Sequence, residues 1–257
     1  MPTPALLVVA HGSRDPRHAA TVGALVDRVR ALRPDLRAGT AFLEFGTPSV
    51  RSALERLSAD GVRDVVALPL LLTRAFHART DIPAALADAP AALRVRRAAV
   101  LGPDPLLVAA LERRLAEAGL RRSERASTGI VLAAAGSTDP EANAAIAAIA
   151  REWRRSTGWC AVRPAFASGP LPRTVDVVRA LRADGVPRVA VAPYVVAPGR
   201  LSERIAVQAA GADLLAPVLG AAPELARLLL RRWADAVTAV PDQDLSSGRD
   251  HSVTLHA

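Results

Sequence analysis

An internal repeat constrains the fold of this 257-residue chain more than any other feature. Residues 5–16 read ALLVVAHGSRDP, and residues 129–140, which lie 124 positions later, read GIVLAAAGSTDP. At the same offset, LSADGV at 57–62 matches LRADGV at 181–186, and an apolar run ending in proline follows each of them. Because the matched segments keep their order, the pattern predicts a tandem duplication of one structural unit.

Short apolar runs alternate with stretches of helical periodicity within each half. In the first half we expect helices at 20–32, 49–59, near 80–88 and 105–118, and extended segments at 38–45, 64–69 and near 94–101. A short apolar run is typical of a parallel strand that is buried on both faces. The alternation therefore predicts an α/β fold in which each half forms a doubly wound, mostly parallel sheet of about four strands flanked by helices.

The duplication also predicts the domain organisation. We expect an N-terminal domain at 1–122 and a C-terminal repeat at 127–240, with 121–128 as the linker. The remaining residues, 241–257, are polar and aperiodic, so we expect a disordered tail.

Composition excludes several classes of protein. The 51% of apolar residues can supply a core, and a single cysteine excludes a disulfide scaffold and a multi-cysteine metal site. Neither a membrane span nor a signal peptide is evident, so we expect a cytoplasmic protein without a membrane partner. The net charge of +8 is spread along the chain and accompanied by only 3% aromatic residues. This pattern argues against a nucleic-acid partner and favours a small polyanion.

Three residues that can bind a metal follow strands of the first half, where parallel sheets bind their ligands. His11 stands directly after the first strand, Glu44 ends the second between apolar neighbours, and His77 lies beyond the third. Neutral imidazole is the commonest metal ligand, so two histidines at one sheet edge indicate a metal site. Each residue alone also has a structural interpretation. His11 can be a loop histidine that forms a hydrogen bond with a neighbouring turn, and Glu44 can form a salt bridge with an arginine.

The order of these residues resembles a known family. HGSRDP at 11–16, the acid at Glu44 and the late histidine in HARTDIP at 77–83 resemble the class II tetrapyrrole chelatases, the sirohydrochlorin cobalt/iron chelatases. The resemblance implies two flavodoxin-like domains facing each other across a cleft. It also implies a lyase-class chelatase that inserts a divalent metal into sirohydrochlorin without ATP and without a permanently bound cofactor. In that family the two motif histidines, here His11 and His77, bind the metal, with the strand-two acid beside them.

The chemistry of metal insertion suits these residue types. Two imidazoles and a carboxylate leave positions open for the ring nitrogens, and a neutral histidine or Glu44 can accept a ring proton. Arginines can bind the carboxylates of sirohydrochlorin through paired N–H donors, although a solvent-facing role is the alternative for each of them. Asp15 is predicted to cap the first helix, which is also the alternative for Ser13. The candidate substrate-binding residues are Ser13, Arg14, Arg74, Arg79, Arg200 and Arg204, with Arg17 as a further possible carboxylate ligand.

The second copy lacks the three candidate ligands. Ala135 stands in the place of the first histidine and Leu201 in that of the second, and segment 165–169 contains no acid. We therefore predict one active site per chain, in the first half, with the second half as a degenerate wall of the cleft. A further histidine, His18, is predicted to be a surface residue of the first helix.

Two other functions share parts of this pattern. A histidine phosphatase also begins with a strand ending in His-Gly, but it needs an arginine directly before the histidine, where this chain has Ala10. A non-catalytic metal or tetrapyrrole carrier stays open, although it would not need a proton acceptor. We expect Fe²⁺, giving sirohaem, because sirohaem is the more widely needed product. Co²⁺ for cobalamin and Ni²⁺ are the alternatives. We expect the chain to be a monomer or a homodimer.

Overall fold

Strands and helices alternate along the whole computed structural model, which describes residues 3–73, 81–169 and 171–239. The first half contains β1 (Ala5–Ala10), α1 (Pro16–Leu32), β2 (Ala38–Phe42), α2 (Val50–Ala59), β3 (Asp64–Pro69), α3 (Asp81–Ala87), β4 (Arg94–Arg97) and α4 (Pro105–Glu117). The second half contains β5 (Thr128–Ala134), α5 (Pro140–Thr157), β6 (Ala161–Phe166), α6 (Thr174–Ala183), β7 (Arg188–Pro193), α7 (Arg200–Gln208), β8 (Leu214–Leu215) and α8 (Pro223–Thr238). None of these helices is long and apolar enough to cross a membrane.

The predicted α/β alternation is confirmed, and the differences lie at element ends. Helix α1 begins at Pro16 rather than residue 20, because Asp15 caps it by accepting a hydrogen bond from the backbone N–H of Arg17 at 2.9 Å. Strand β2 ends at Phe42 rather than residue 45. The predicted linker forms a 3-10 helix, Arg122–Ser127, and the predicted disordered tail lies outside the described residues.

Each half forms one four-stranded parallel sheet, with the strand orders β2-β1-β3-β4 and β6-β5-β7-β8. Strand β1 is central, so Val8 pairs with Thr40 on one side and with Leu68 on the other. After β1 the chain forms β2 on one side of it, and then forms β3 on its other side. The pairs β1/β3 and β5/β7 are therefore the topological switch points, where ligand crevices form in open α/β sheets.

The last helix of each half packs on the sheet of the other half. Helix α4 contacts β7, helix α8 contacts β3, and the two helices contact each other. One continuous core results: it includes Leu6 and Leu68 of the first sheet, Ile130 and Leu132 of the second, and the fully buried Leu228 of α8. Only the opposite faces of the two sheets have separate cores. The halves are thus distinct in sequence but joined in packing. We refer to the packing of α4 on β7 and of α8 on β3 as the helix exchange.

Hydrogen bonds from buried indoles hold the helix exchange on both sides. Glu112 of α4 accepts hydrogen bonds at its Oε1 atom from the indole N–H groups of Trp153 and Trp159, each at 2.6 Å. In the opposite direction, the indole N–H of Trp233 on α8 donates to the carbonyl oxygen of Pro4 at 3.1 Å. Because all three tryptophans are buried, each of these N–H groups needs its acceptor within the protein.

Candidate functional site

A cleft of about 760 Å³ lies between the two halves. Its walls are the loops that follow β1 and β3 in the first half and β5 and β7 in the second. These four strands form the two switch points, so both sheets present the carboxyl ends of their central strands to one space. The segments that line the cleft are 10–15, 70–73, 134–137 and 194–201.

The backbone brings two of the predicted metal ligands, His11 and Glu44, to one edge of the first sheet. His11 is exposed in the cleft, and the N–H of Glu44 donates to the carbonyl oxygen of His11 at 2.9 Å. Gly12 permits this approach, because it has a φ of +98° and a β-carbon there would lie 1.7 Å from the carbonyl oxygen of Glu44. The glycine of the His-Gly motif is therefore required by the contact between the two loops.

The sequence predicted that Glu44 ends a buried strand, and this prediction was wrong. Glu44 lies in the loop beyond Phe42, and its side chain is exposed. Within the described part of the chain it forms no ion pair, so the alternative of a salt bridge to an arginine finds no support there. Its exposed carboxylate can accept a ligand, but Phe45, and not Glu44, is the residue of this loop that lines the cleft.

The third predicted ligand, His77, lies outside the described residues together with Arg74 and Arg79. Residues 70–73, which precede that segment in sequence, line the cleft. Among the residues that the structure does describe, no three histidine, cysteine, aspartate or glutamate side chains converge to hold a metal ion. The predicted metal site is therefore complete only with His77, whose placement stays a prediction.

The substrate-binding candidates that are described occupy different places. Ser13, Arg14 and Arg200 line the cleft, and the last two are exposed there. The Ser13 hydroxyl also accepts a hydrogen bond from the N–H of Asp15 at 3.1 Å, so it supports the turn into α1. Arg204 is exposed on α7 but does not line the cleft, and its role stays a prediction.

Arg17 is committed to other partners, which corrects its interpretation as a possible carboxylate ligand. Its guanidinium pairs with Asp15 at 2.6 Å and with Glu203 of the second half at 2.8 Å. The hydrogen bond from Arg17 holds the pKa of the Asp15 carboxyl below its usual range. Arg17 thus links the two halves at the side of the cleft and has few donors left for a substrate.

His18 belongs to the cleft and is not the surface residue that we expected. It is partly buried, and its Nδ1 atom is buried without a hydrogen-bond partner among the described residues. Burial lowers the pKa of His18, His11 lowers it further, and Asp15 opposes both, so the site favours the neutral imidazole. The sequence signal was the Asp-Pro helix start at 15–16, which places residue 18 in the first turn, beside the strand ends.

Two aromatic side chains that line the cleft, Tyr194 and Phe45, were not predicted from the sequence. Tyr194 is 3% exposed, and its hydroxyl has no hydrogen-bond partner within the described ranges. Burial raises the pKa of Tyr194, with a further contribution from Asp104, so the phenol stays protonated and can act as a donor. Phe45 is 55% exposed, and the guanidinium carbon of Arg14 lies 4.9 Å from the centre of its ring.

A family model describes both halves of the chain. The model of the CbiX family matches residues 5–118 and again residues 129–236. The chain belongs to the CbiX family. The double match confirms both the duplication and the resemblance to sirohydrochlorin chelatases.

Curated relatives of this CbiX family member include two kinds of chelatase. The sirohydrochlorin cobaltochelatase of Priestia megaterium is 28% identical over a match that covers 78% of this chain and 66% of that protein, just under two thirds of its length. The sirohydrochlorin ferrochelatase of Bacillus subtilis is 26% identical, and the match covers 78% of this chain and 77% of that protein.

Solved structures match this CbiX family member along most of its length. SirB from Bacillus subtilis, solved with Fe³⁺, has a TM-score of 0.79 and 23% identity, with 92% of this chain and 96% of that chain covered. CbiX, described as the terminal enzyme for the biosynthesis of siroheme in denitrifying bacteria, has a TM-score of 0.67 and 25% identity, with 90% and 99% covered. These similarities confirm the fold of two α/β units.

Proposed function

We propose that this protein is a sirohydrochlorin chelatase that inserts a divalent metal ion into the tetrapyrrole without ATP. One observation carries the proposal: His11 and the loop of Glu44 meet at the carboxyl ends of β1 and β2, next to the switch point of the first sheet, in the wall of a cleft between the two halves. Membership of the CbiX family and the activities named for its curated relatives support it.

The metal is held by His11, Glu44 and His77 of the first half in this proposal. Two imidazoles and one carboxylate bind the ion less completely than a closed four-ligand site, so the ring nitrogens can replace them. The metal is a substrate that leaves with the product, and no permanently bound cofactor takes part.

Proton balance assigns a second task to the same residues. The ion replaces the two inner N–H protons of the ring, so two positive charges enter as two leave. A neutral histidine or Glu44 accepts each proton before it reaches solvent. Glu44 is suited to this role because its carboxylate is exposed and forms no ion pair within the described ranges.

Arginines from both walls bind the carboxylates at the edge of the macrocycle. Arg14 extends from the first half and Arg200 from the second, and both are exposed in the cleft. Each guanidinium can donate two parallel hydrogen bonds to one carboxylate. Arg74, Arg79 and Arg204 are further candidates, with the Ser13 hydroxyl as a neutral partner.

Iron is the metal that we propose, with sirohaem as the product. Cobalt is the second candidate, because the Priestia megaterium relative, at 28% identity, is a cobaltochelatase. Histidine and carboxylate ligands bind either ion, so the ligand set does not choose between them.

The test is an anaerobic competition assay in which Fe²⁺, Co²⁺ and Ni²⁺ are offered with sirohydrochlorin and the ring absorption is followed. We expect insertion without ATP, fastest with Fe²⁺. His11→Ala should lower the rate by more than roughly 100-fold, because removal of a direct ligand exceeds the loss seen for outer partners. Binding of sirohydrochlorin without insertion of any metal would indicate a carrier instead.

A further inference from the structure

Phe45 has a backbone conformation that its side chain disfavours. Its φ is +50°, and it is the one non-glycine residue with a positive φ in the part of the chain that the structure describes. A β-carbon is strained in this left-handed region, whereas glycine adopts it freely. The equivalent position in the second half is occupied by Gly169, with a φ of +78°.

The fold requires this conformation in both halves but does not require a phenylalanine. The N–H of Glu44 donates to the carbonyl oxygen of His11, and the N–H of Ser168 donates to that of Ala135, each at 2.9 Å. The chain then turns away from the sheet through the residue that follows. Because glycine makes the same turn without strain in the second half, local folding does not explain Phe45.

The environment of Phe45 points to a ligand instead of the core. The side chain lines the cleft and is 55% exposed, although most large apolar side chains of this protein are buried. Arg14 covers one face of the ring, with its guanidinium carbon 4.9 Å from the ring centre. Among the residues that the structure describes, no second aromatic or cationic side chain stacks on this ring, so more than half of its surface stays open. Strained residues that the structure retains are concentrated at ligand-binding sites.

We propose that Phe45 is a substrate-binding residue whose uncovered ring face stacks on the flat conjugated macrocycle, while Arg14 on the opposite face binds a carboxylate at its edge. The inference rests on the proposed function, because it assumes a tetrapyrrole in the cleft. Offset stacking of aromatic systems supplies affinity without a polar partner, and a guanidinium over the same ring fixes its orientation. The half with the predicted metal ligands would thus also position the ring plane.

The test measures the affinity of metal-free sirohydrochlorin through the change in its absorption on binding. Phe45→Ala should weaken binding by roughly 5- to 30-fold, the range for loss of one aromatic stacking partner. Val207→Ala is the control, because Val207 is 79% exposed and does not line the cleft, and its affinity should equal that of the wild type. Phe45→Gly should bind as weakly as Phe45→Ala but melt roughly 2–4 °C higher than that variant, because glycine relieves the strain.

A double variant separates stacking from the positioning of Arg14. If the ring itself contacts the macrocycle, Phe45→Ala still weakens binding when it is combined with Arg14→Ala. If Phe45→Ala has no effect in that background, the ring only holds Arg14 and the stacking proposal is overturned. Unchanged affinity of Phe45→Ala alone, with a wild type that binds sirohydrochlorin, overturns it as well while the proposed function stands. A wild type that does not bind sirohydrochlorin overturns both.

Discussion

The two halves of the molecule share a backbone but differ in the side chains at their central strand ends. In the second half, the Ser168 hydroxyl donates to the carbonyl oxygen of Ala135 at 2.9 Å, and Asn143 exchanges two hydrogen bonds with the backbone of Ser137. These loops satisfy their polar groups internally. In the first half, Glu44 takes the place of Ser168, and its carboxylate accepts no hydrogen bond from any residue that the structure describes.

Under the proposed function, this contrast corresponds to two separate tasks. Internally satisfied loops make a stable wall, whereas a site for a metal must leave oxygen and nitrogen atoms available to it.

Removal of α8 should unfold both halves, although the helix belongs to the second half in sequence. A chain that ends at Gly220 loses the burial of Leu225, Leu228, Leu229 and Trp233. At about 1.5–3 kcal/mol for each side chain, the loss approaches the roughly 5–15 kcal/mol that stabilises a typical domain. Thermal unfolding followed by circular dichroism should show no cooperative transition. A retained transition for the first half would mean that the helix exchange is dispensable.

Titration with Co²⁺ should give one metal ion per chain, read from its visible absorption. The second half lacks the predicted ligands at all three matching positions, and a site built from one restored ligand binds weakly. Ala135→His should therefore leave the stoichiometry at one, and His11→Ala should abolish the tight site. A stoichiometry near two in the wild type would show that the duplication has been misread.

Glu112→Leu should lower the free energy of unfolding by about 2–4 kcal/mol, because it leaves two buried indole N–H groups without an acceptor. Glu112→Gln keeps one side-chain oxygen near Trp153 and Trp159 and serves as the matched variant, with a loss of about 1 kcal/mol. Urea unfolding measures both. Equal effects of the two variants would argue that the charge of Glu112, and not its acceptor role, stabilises the contact.

Glu224→Gln should lower the free energy of unfolding by about 1–2 kcal/mol at pH 7. The Nε–H of Arg113 donates to the Glu224 carboxylate at 3.0 Å, and this guanidinium holds the pKa of Glu224 below its ordinary value of 4.5. Since the folded state favours the ionised form, this contribution is present above pH 4.5 and is lost as the pH falls through the folded-state pKa.

The difference between the wild type and Glu224→Gln should therefore shrink as the pH is lowered from 5 to 3. Urea unfolding at several pH values gives this difference directly. The exposed Glu55→Gln is the control and should show a difference near zero throughout. A constant gap between the wild type and Glu224→Gln would mean that the amide loses packing and not an ion pair.

Local patterns predicted the elements of this fold, since apolar runs and helical periodicity are properties of neighbouring residues. The predicted end of β2 was wrong, because Phe45 turns the chain through a left-handed conformation that is rare for a residue with a side chain. Strand β4 was predicted near 94–101. The structure ends the strand at Arg97, and Val100 and Leu101 are buried near α8, whose Arg232 donates to their carbonyl oxygens.

Motifs predicted part of the candidate site, because His11 and Glu44 follow strands that pair in the sheet. His18 and Tyr194 were missed for a different reason. They are candidates only because their polar atoms are buried without a hydrogen-bond partner among the described residues, and burial is defined only by the packed chain. The helix exchange was missed as well, because an amphipathic helix does not encode which of two similar sheets it covers.

The exchange of the last helices also bears on the history of the chain. One copy of the repeat, alone, leaves a face of its sheet without the helix that should cover it, so it could bury that face only against a second, identical copy. In such a pair every mutation appears twice, and the loss of a histidine removes it from both sides. Joining two copies in one polypeptide removes that identity, because each copy can then change alone. A cleft with His11 in one wall and Ala135 in the other is therefore available to a fused chain but not to a symmetric pair.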